Sequence, residues 1–549
     1  MIEEKGTAPT ETEKSVQPKN LSEDRGIIRA ATIIAIGNII SRILGLAREV
    51  VKANLFGTSD LLGAFTVALL IPRTLFNLIT GGEMVSSSLV PVFSDYAAKE
   101  KRDELWGIVS AFLSFAVVIL LAIIIFVELF TPAVAQLTGA RNFADPTLFN
   151  TTVDLMRLAT PTVLFMSIAS ILTGVLYALK RFTLPAFTAA IFNSTIVIIA
   201  LLQPDRIESL AWGWLIGSLM QVLLLVPGLR DGRIRPRFNW THPAVRRIII
   251  LYTPIAVGLI VNQIAIWISF RLAILTGDNS VTFMNYATTL VQFPQGLVVT
   301  ALSVAILPTL SRLATAFMDA KTPEIAKEQL DAYKQTLAGG VRLILTLILP
   351  ATAGLFALAV PIVALLLERG QFLPQDTLIT AQVLRVYLIG LPFAAVDQML
   401  IFASYARKDT WRPALVGVVS IVFYTIVAWV LLEPLGLLSL MVADAAKHML
   451  HTVLMIWILT RHLGNWEGFA FLETAVKSFT AAIATGVAAY GTANVMQNVM
   501  PADVFVGRLV VVVVAGIVGL LVFVLFANRL KMREVMSLFE MVKSRLRST

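Results

Sequence analysis

The stretch "SRILGLAREVVKANLFG", residues 41–57, directly follows the apolar run "IIRAATIIAIGNII". It carries Arg42, Arg48, Glu49 and Lys52 in what otherwise reads as a membrane helix. On an ideal helix, Asn38, Ser41, Arg42, Arg48, Glu49 and Lys52 fall in one arc of about 120°, with Gly45 among them. Isoleucine, leucine and valine cover the other side, so the helix is amphipathic inside a span. A Lys or Arg at the bilayer centre costs about 2.5–3.5 kcal/mol. With entry near residue 28, Arg42 lies about 21 Å along the helix, well inside the hydrocarbon. Lys52 is expected near the far interface, where it can snorkel. Two readings stay open. Arg48 can pair with Glu49 and merely fix helix packing, or the stripe can line a hydrated cavity and bind an anion. Arginine suits phosphate, because its fork donates two parallel hydrogen bonds.

The rest of the chain supports the membrane reading. Of 549 residues, 57% are hydrophobic and only 14% charged, against about 25% charged in soluble proteins. With no cysteine, disulfides, zinc–thiolate sites and thiol nucleophiles are excluded. The four histidines (His242, His448, His451 and His462) show no metal-binding spacing. The net charge of +9 fits basic loops better than a nucleic-acid partner. No GxxxxGK[ST] phosphate loop or catalytic constellation is present, so neither ATP hydrolysis nor an enzyme is expected, and no cofactor.

Fourteen apolar segments are long enough to span: near 28–52, 61–80, 106–130, 152–178, 184–203, 209–228, 247–275, 283–306, 339–366, 376–404, 412–432, 436–460, 473–495 and 504–527. The loop "LRDGRIRPRFNWTHPAVRR" (229–247) holds six arginines, whereas "TGDNS", "EPLG" and "MQNVMPADV" hold no Lys or Arg. By the positive-inside rule the basic loops and both termini are cytoplasmic. "YALKRFTLPA" (177–186) and "YARKDTWRPA" (405–414) share a pattern, as do "LVPVFS" (89–94) and "ILPTLS" (306–311). The expected fold is therefore all-α and polytopic, with about 14 transmembrane helices. Two six-helix lobes form parallel repeats, as in some transporters. The expected division is a disordered tail over 1–26, an N-lobe over 27–230, a basic loop over 231–246 and a C-lobe over 247–461. Two further spans occupy 462–530, and a basic amphipathic tail over 531–549 lies on the inner leaflet.

"SRILGLAREVVKANLFG" resembles the first-helix signature of the MurJ (MviN) family of lipid II flippases, in the multidrug/oligosaccharidyl-lipid/polysaccharide exporter superfamily. The resemblance continues through "LVPVFSDY", "LYALKRFTLPAF", "FPQGLVVTALSVAILPTLSR" and "PLGLLSLMVADA", covering most of residues 28–461. It implies alternating-access export of an undecaprenyl-diphosphate-linked peptidoglycan precursor across the bacterial plasma membrane, for cell wall biosynthesis. The implied partners are that polyprenyl-diphosphate lipid, membrane lipids and the cell-wall synthesis machinery. Arg42 and Arg48 match the family's first-helix arginines. The second-helix arginine is shifted: Arg73 sits earlier than the pattern places it. Thr288 and Thr289 stand where the eighth helix carries an arginine, and Arg271 is the candidate substitute. The acids of the sodium site found in some members are missing.

The candidate substrate-binding residues are thus Asn38, Ser41, Arg42, Arg48, Lys52, Arg73 and Arg271. Asp444, Lys447 and His448 are helical neighbours in "ADAAKHMLH". With Asp397 they form either a proton-coupling site or a self-neutralised polar patch. A diphosphate moving outward gains about 2.3 kcal/mol per charge per 100 mV, so membrane potential can bias export. An exporter of another polyprenyl-linked glycan, or a scaffold that has lost transport, are the alternatives.

Overall fold

The computed structural model describes residues 21–239, 241–466, 468–500, 504–537 and 540. In chain order the long helices are α1 (Leu21–Phe56), α2 (Asp60–Ile79), α3 (Lys99–Leu129), α4 (Pro146–Ala178), α5 (Thr188–Leu202), α6 (Glu208–Leu229) and α7 (Pro243–Ile274). They continue as α8 (Ser280–Met318), α9 (Pro323–Ala357), α10 (Pro374–Ala406), α11 (Trp411–Val430), α12 (Leu438–Leu463), α13 (Phe471–Val499) and α14 (Phe505–Arg529). No strand occurs among the described residues. Every apolar segment expected to span is helical, and among the described residues eleven helices are long and apolar enough to cross a membrane. Outside that count are α1, the short α5, and α13.

Two helices run well past their expected bounds. α9 begins at Pro323 rather than near 339, because Thr322 caps it by accepting from the Ile325 amide and Pro323 occupies the first turn. The amphipathic "PEIAKEQLDAYKQTLAGG" then continues the helix beyond its apolar part. α8 likewise runs to Met318, since nothing in "SRLATAFM" breaks a helix.

The internal repeat has a structural counterpart. In both "YALK" and "YARK" the lysine takes a left-handed conformation, with φ 58° at Lys180 and 61° at Lys408. Each stops its helix in the same way. Arg181 N donates to Leu176 O at 2.8 Å, and Asp409 N donates to Ser404 O at 3.0 Å. The second sequence pair has a counterpart too. A π-helical segment precedes each P-x-x-S motif, at Val85–Leu89 and at Gln295–Thr300. Such segments locally widen a helix and leave it easier to bend.

The basic loop is docked rather than loose. Arg181 pairs with Asp231 and donates to Gly228 O. That hydrogen bond holds the Asp231 carboxyl below the usual carboxylate range. Arg235 N and Arg237 N donate to Ser110 and Ser114 of α3. α7 leaves this basic face packed on the N-terminal half. Tyr252 donates to the Asn77 and Leu78 carbonyls, and Val245 and Ile248 join the core around α3 and α4.

At the opposite face the two halves meet closely. Gln371 N donates to Asn54 O at 3.0 Å, Thr58 Oγ1 to Asp376 at 2.7 Å and Tyr286 OH to Gly57 O at 3.1 Å. Gly57, at φ 55°, and Gly370, at φ 56°, let the two backbones touch. A Cβ on Gly370 would lie 2.1 Å from Asn54 O.

The expected terminal tails fall partly outside the described residues: 1–20 at the N-terminus, and 538–539 and 541–549 at the C-terminus. Residues 21–26 are the first turns of α1. The amphipathic pattern of the C-terminal tail predicts that its apolar side meets lipid. Met532 and Val535 instead bury against Ala481, Phe523 and Ala527 of α13 and α14, and Glu534 pairs with Arg342 at 3.0 Å. These helices offer enough apolar surface to take up the tail's first turn.

Candidate functional site: the charged face of α1

α1 lies in the seam between the halves. Near the basic face Gly37 packs on Ala186, whose carbonyl would be 2.4 Å from a Cβ at that position. The next turns present the polar arc. Glu49 is buried, and its two oxygens are divided between two cations. Arg48 donates to Oε1 at 2.7 and 3.1 Å, and Lys52 donates to Oε2 at 2.7 Å. The third donor of Arg48 reaches Asn193 Oδ1 of α5 at 3.0 Å. Asn193 in turn donates to the Ser41 carbonyl at 3.3 Å, closing a loop between α1 and α5. The Ser41 hydroxyl is buried without a partner among the described residues.

Lys52 does not snorkel. It is 4% exposed and sits under the Tyr286 ring at 5.9 Å. α1 continues a further turn to Phe56, so Lys52 is inside the bundle rather than at a helix end, and Glu49 holds it there.

Arg73 joins this group from α2. Its guanidinium stacks 4.9 Å from the Trp214 ring, and it lies within electrostatic reach of Arg48 and Glu49. Trp214 is held edge-on by Phe192 at 5.1 Å. Beside Arg73, Thr74 donates to Gln263 at 3.0 Å and accepts from Trp267 at 3.0 Å, tying α2 to α7.

Arg42 differs from the rest. It is exposed, and no carboxylate pairs with it among the described residues. Its guanidinium lies across the seam against Gly296, in the π-helical segment of α8. A Cβ on Gly296 would meet its nitrogens at 2.6 and 2.9 Å. Asn38, one turn earlier, is exposed on the same arc. Four cations (Arg42, Arg48, Lys52 and Arg73) against one carboxylate (Glu49) leave a net charge of +3. That excess is suited to a multiply charged anion.

The other candidates fall elsewhere. Arg271, expected to substitute in this group, packs its side chain against Gly139 of the N-terminal half instead. Thr288 and Thr289 donate to carbonyls of their own helix and supply no charge. Asn193, Gly296 and Trp214 carry no site signal in the sequence. Glu49 is legible there, because it sits on the same arc as the arginines.

The second group lies between α10 and α12. Lys447 pairs with Asp444 at 2.6 Å, and His448 reaches Asp444 at 3.8 Å and Asp397 at 4.0 Å. The nearest partner of Asp397 is His451, whose Nδ1 lies 2.5 Å from Oδ1. No group able to hold a metal ion occurs among the described residues.

Residues 52–539 match the protein family described as "Lipid II flippase MurJ". A Burkholderia cenocepacia protein named "Lipid II flippase MurJ" is 28% identical over 403 residues, covering 71% of this chain and 76% of that one. A Bdellovibrio bacteriovorus protein named "Probable lipid II flippase MurJ" is 28% identical over 473 residues, covering 84% and 88%. Among solved structures, a lipid II flippase MurJ in an inward closed conformation superposes with a TM-score of 0.72 at 21% identity, covering 92% of this chain and 100% of that one. An inward-facing multidrug resistance transporter of the MATE family gives 0.60 at 14% identity, covering 80% and 100%. These two likenesses speak to the fold.

Proposed function

Because the chain belongs to the MurJ family of lipid II flippases, we propose that the charged face of α1 holds the diphosphate of its lipid cargo. The protein is a multi-pass membrane transporter that carries lipid II across the bilayer by alternating access, in cell wall biosynthesis. The observation that carries the site assignment is Arg42: a cation without a carboxylate partner among the described residues, set against Gly296 where the two halves meet.

The groups divide the work. Arg42 and Arg48 face the anion, since Arg42 pairs with no carboxylate among the described residues and Arg48 keeps 20% of its side chain exposed. Glu49 and Lys52 are buried and set the position of Arg48. Arg73, placed over the Trp214 ring, adds long-range attraction. Fork-shaped guanidinium donors match phosphate oxygens in pairs. The polyprenyl tail needs an apolar surface. A cleft of about 790 Å³ between α9, α10, α12 and α13, lined by residues such as Leu345, Phe393 and Phe479, offers one.

The basic loops orient the molecule with both termini in the cytoplasm. Cargo then enters from the basic face and leaves at the face closed here by Gly57, Thr58 and Gln371. The cell-wall synthesis machinery is the natural source and sink of such a cargo.

The test is complementation. A bacterium depleted of its own lipid II flippase should grow on this protein, and Arg42→Ala and Arg48→Ala should each fail to sustain growth at equal membrane levels. If both variants rescue as well as wild type, the arginine assignment is wrong. Failure of well-inserted wild type to sustain lipid II export would count against the transport reading.

A further inference from the structure

α10 and α12 approach more closely than ordinary side chains allow. A Cβ on Gly390 would sit 2.8 Å from Cα of Ala445, and Thr452 Oγ1 donates to Phe393 O at 3.0 Å. Into this contact the chain places ionisable groups that packing does not call for. Asp397 and His451 are buried and 2.5 Å apart. His448 leans on the other Asp397 oxygen at 4.0 Å, and its Nδ1 is buried without a hydrogen-bond partner among the described residues. Asp444 and Lys447 complete the group. Side-chain exposure is about a quarter for Lys447, Asp444 and His448 but only 10% for His451 and 8% for Asp397. The cluster thus runs from an exposed edge to a buried end.

Its charge does not close by itself. Two carboxylates and one ammonium leave one negative charge, which a single imidazolium neutralises. Histidine is the side chain suited to change charge near neutral pH, and ionisable groups within a span mark ion or proton paths by default. We infer that Asp397, His451 and His448 form a proton-binding site that exchanges one proton per transport cycle, with Asp444 and Lys447 at its exposed edge. The proton sits between His451 Nδ1 and Asp397 Oδ1, and His448 Nδ1, 4.0 Å from the other Asp397 oxygen, is the next basic nitrogen toward the exposed edge. With the proton bound, the cluster is neutral and the two helices stay packed. Once it leaves, a net negative charge favours a looser, hydrated contact. Protonation therefore biases the packing of α10 against α12, and with it the C-terminal half. Proton binding stands by itself; its coupling to lipid movement rests on the flippase reading.

The surroundings leave this cluster isolated. From α11, the Tyr424 ring lies under Lys447 at 5.6 Å. On α10, Tyr387 faces Asp444 and meets Thr288 of α8, and Ser269 of α7 meets Tyr424. From α9, Tyr333 and Lys334 bond to the Ala403 and Asn465 carbonyls, and Arg342 pairs with Glu534. Beyond the segment Ala359–Leu367, Glu368 pairs with Arg508. Lys477 of α13 pairs with Glu473. Arg312 of α8, Arg271 of α7 and Glu433 between α11 and α12 are exposed. Among the described residues, Asp397 has ion-pair contacts with His448 and His451 alone.

Four histidines in the chain make the test direct. In full-length protein labelled with ¹⁵N-histidine in nanodiscs, His448→Gln and His451→Gln assign the two resonances. Between about pH 5 and about pH 9 these imidazoles should titrate as a coupled pair, and Asp397→Asn should shift that titration. In proteoliposomes, lipid II movement should accelerate when protons flow against it. Asp397→Asn and His451→Gln should lose that response. His448→Gln, nearer the exposed edge, should lose it too, and keeps the question decidable if the buried variants do not fold. Imidazoles that hold one protonation state across the range, a wild type indifferent to the gradient, or variants that keep the response would each overturn the inference. Absence of lipid II movement at every gradient, with the titration intact, would strike the flippase reading and leave the proton site standing.

Discussion

Glu49 shows how a buried charge serves position rather than binding. It holds Arg48 with one oxygen and Lys52 with the other, and 3% of it is exposed. Removing one member of a buried pair leaves its partner's charge uncompensated, at a cost of about 3–5 kcal/mol. Glu49→Gln strands two cations, so it should lower the thermal unfolding temperature in detergent markedly. Arg48→Met leaves Glu49 still paired with Lys52 and should cost much less stability while losing transport. Equal melting temperatures for Glu49→Gln and wild type would refute this division. The arginines and the glutamate were legible in the sequence, because helical periodicity alone places them on one arc. Which of them is free was not legible. The sequence offered Glu49 as a partner for Arg48 without deciding it, and the approach of Asn193 and the distance to Glu49 make that pairing.

Among elements, α8 is the one whose local form matters most to the site. Its π-helical turn at Gln295–Thr300 brings Gly296 against the Arg42 guanidinium. A side chain at that position must push the guanidinium aside. The far end of an arginine is flexible, so the fold should survive while the anion site changes. Gly296→Val should therefore reduce transport severalfold with normal membrane levels. Gly417→Ala on α11, where an added Cβ would meet nothing within 4 Å beyond its own helix backbone, should leave transport unchanged. The comparison is read in the complementation assay, and equal growth of both variants would remove Gly296 from the site. Hydropathy located α8 but stopped it twelve residues short. Its continuation to Met318 is amphipathic, and the π turn depends on packing that periodicity does not record.

For the whole molecule, the opposite face is closed by contacts that must part if cargo is to leave there. Thr58 and Asp376 bond directly across the two halves at 2.7 Å. The chain contains no cysteine, so Thr58→Cys/Asp376→Cys introduces the only two thiols. Joining them by oxidation or by a short thiol-reactive linker should abolish lipid II movement in proteoliposomes, and reduction of an oxidised pair should restore it. Undiminished movement with the pair fully joined would show that this face need not open.

The sequence by itself determined that the chain is a bundle of membrane helices with an internally repeated turn and a charged face on its first helix. Composition, hydropathy and the repeated Y-A-x-K turn are local or summed properties, and they survive without knowledge of neighbours. Tertiary structure decided the rest. It sent Arg271 to Gly139, buried Lys52 under Tyr286, set Arg42 on Gly296 and matched Asp397 with His451. Each of these joins residues far apart in the chain, and helix-on-helix packing, not periodicity, chooses such partners.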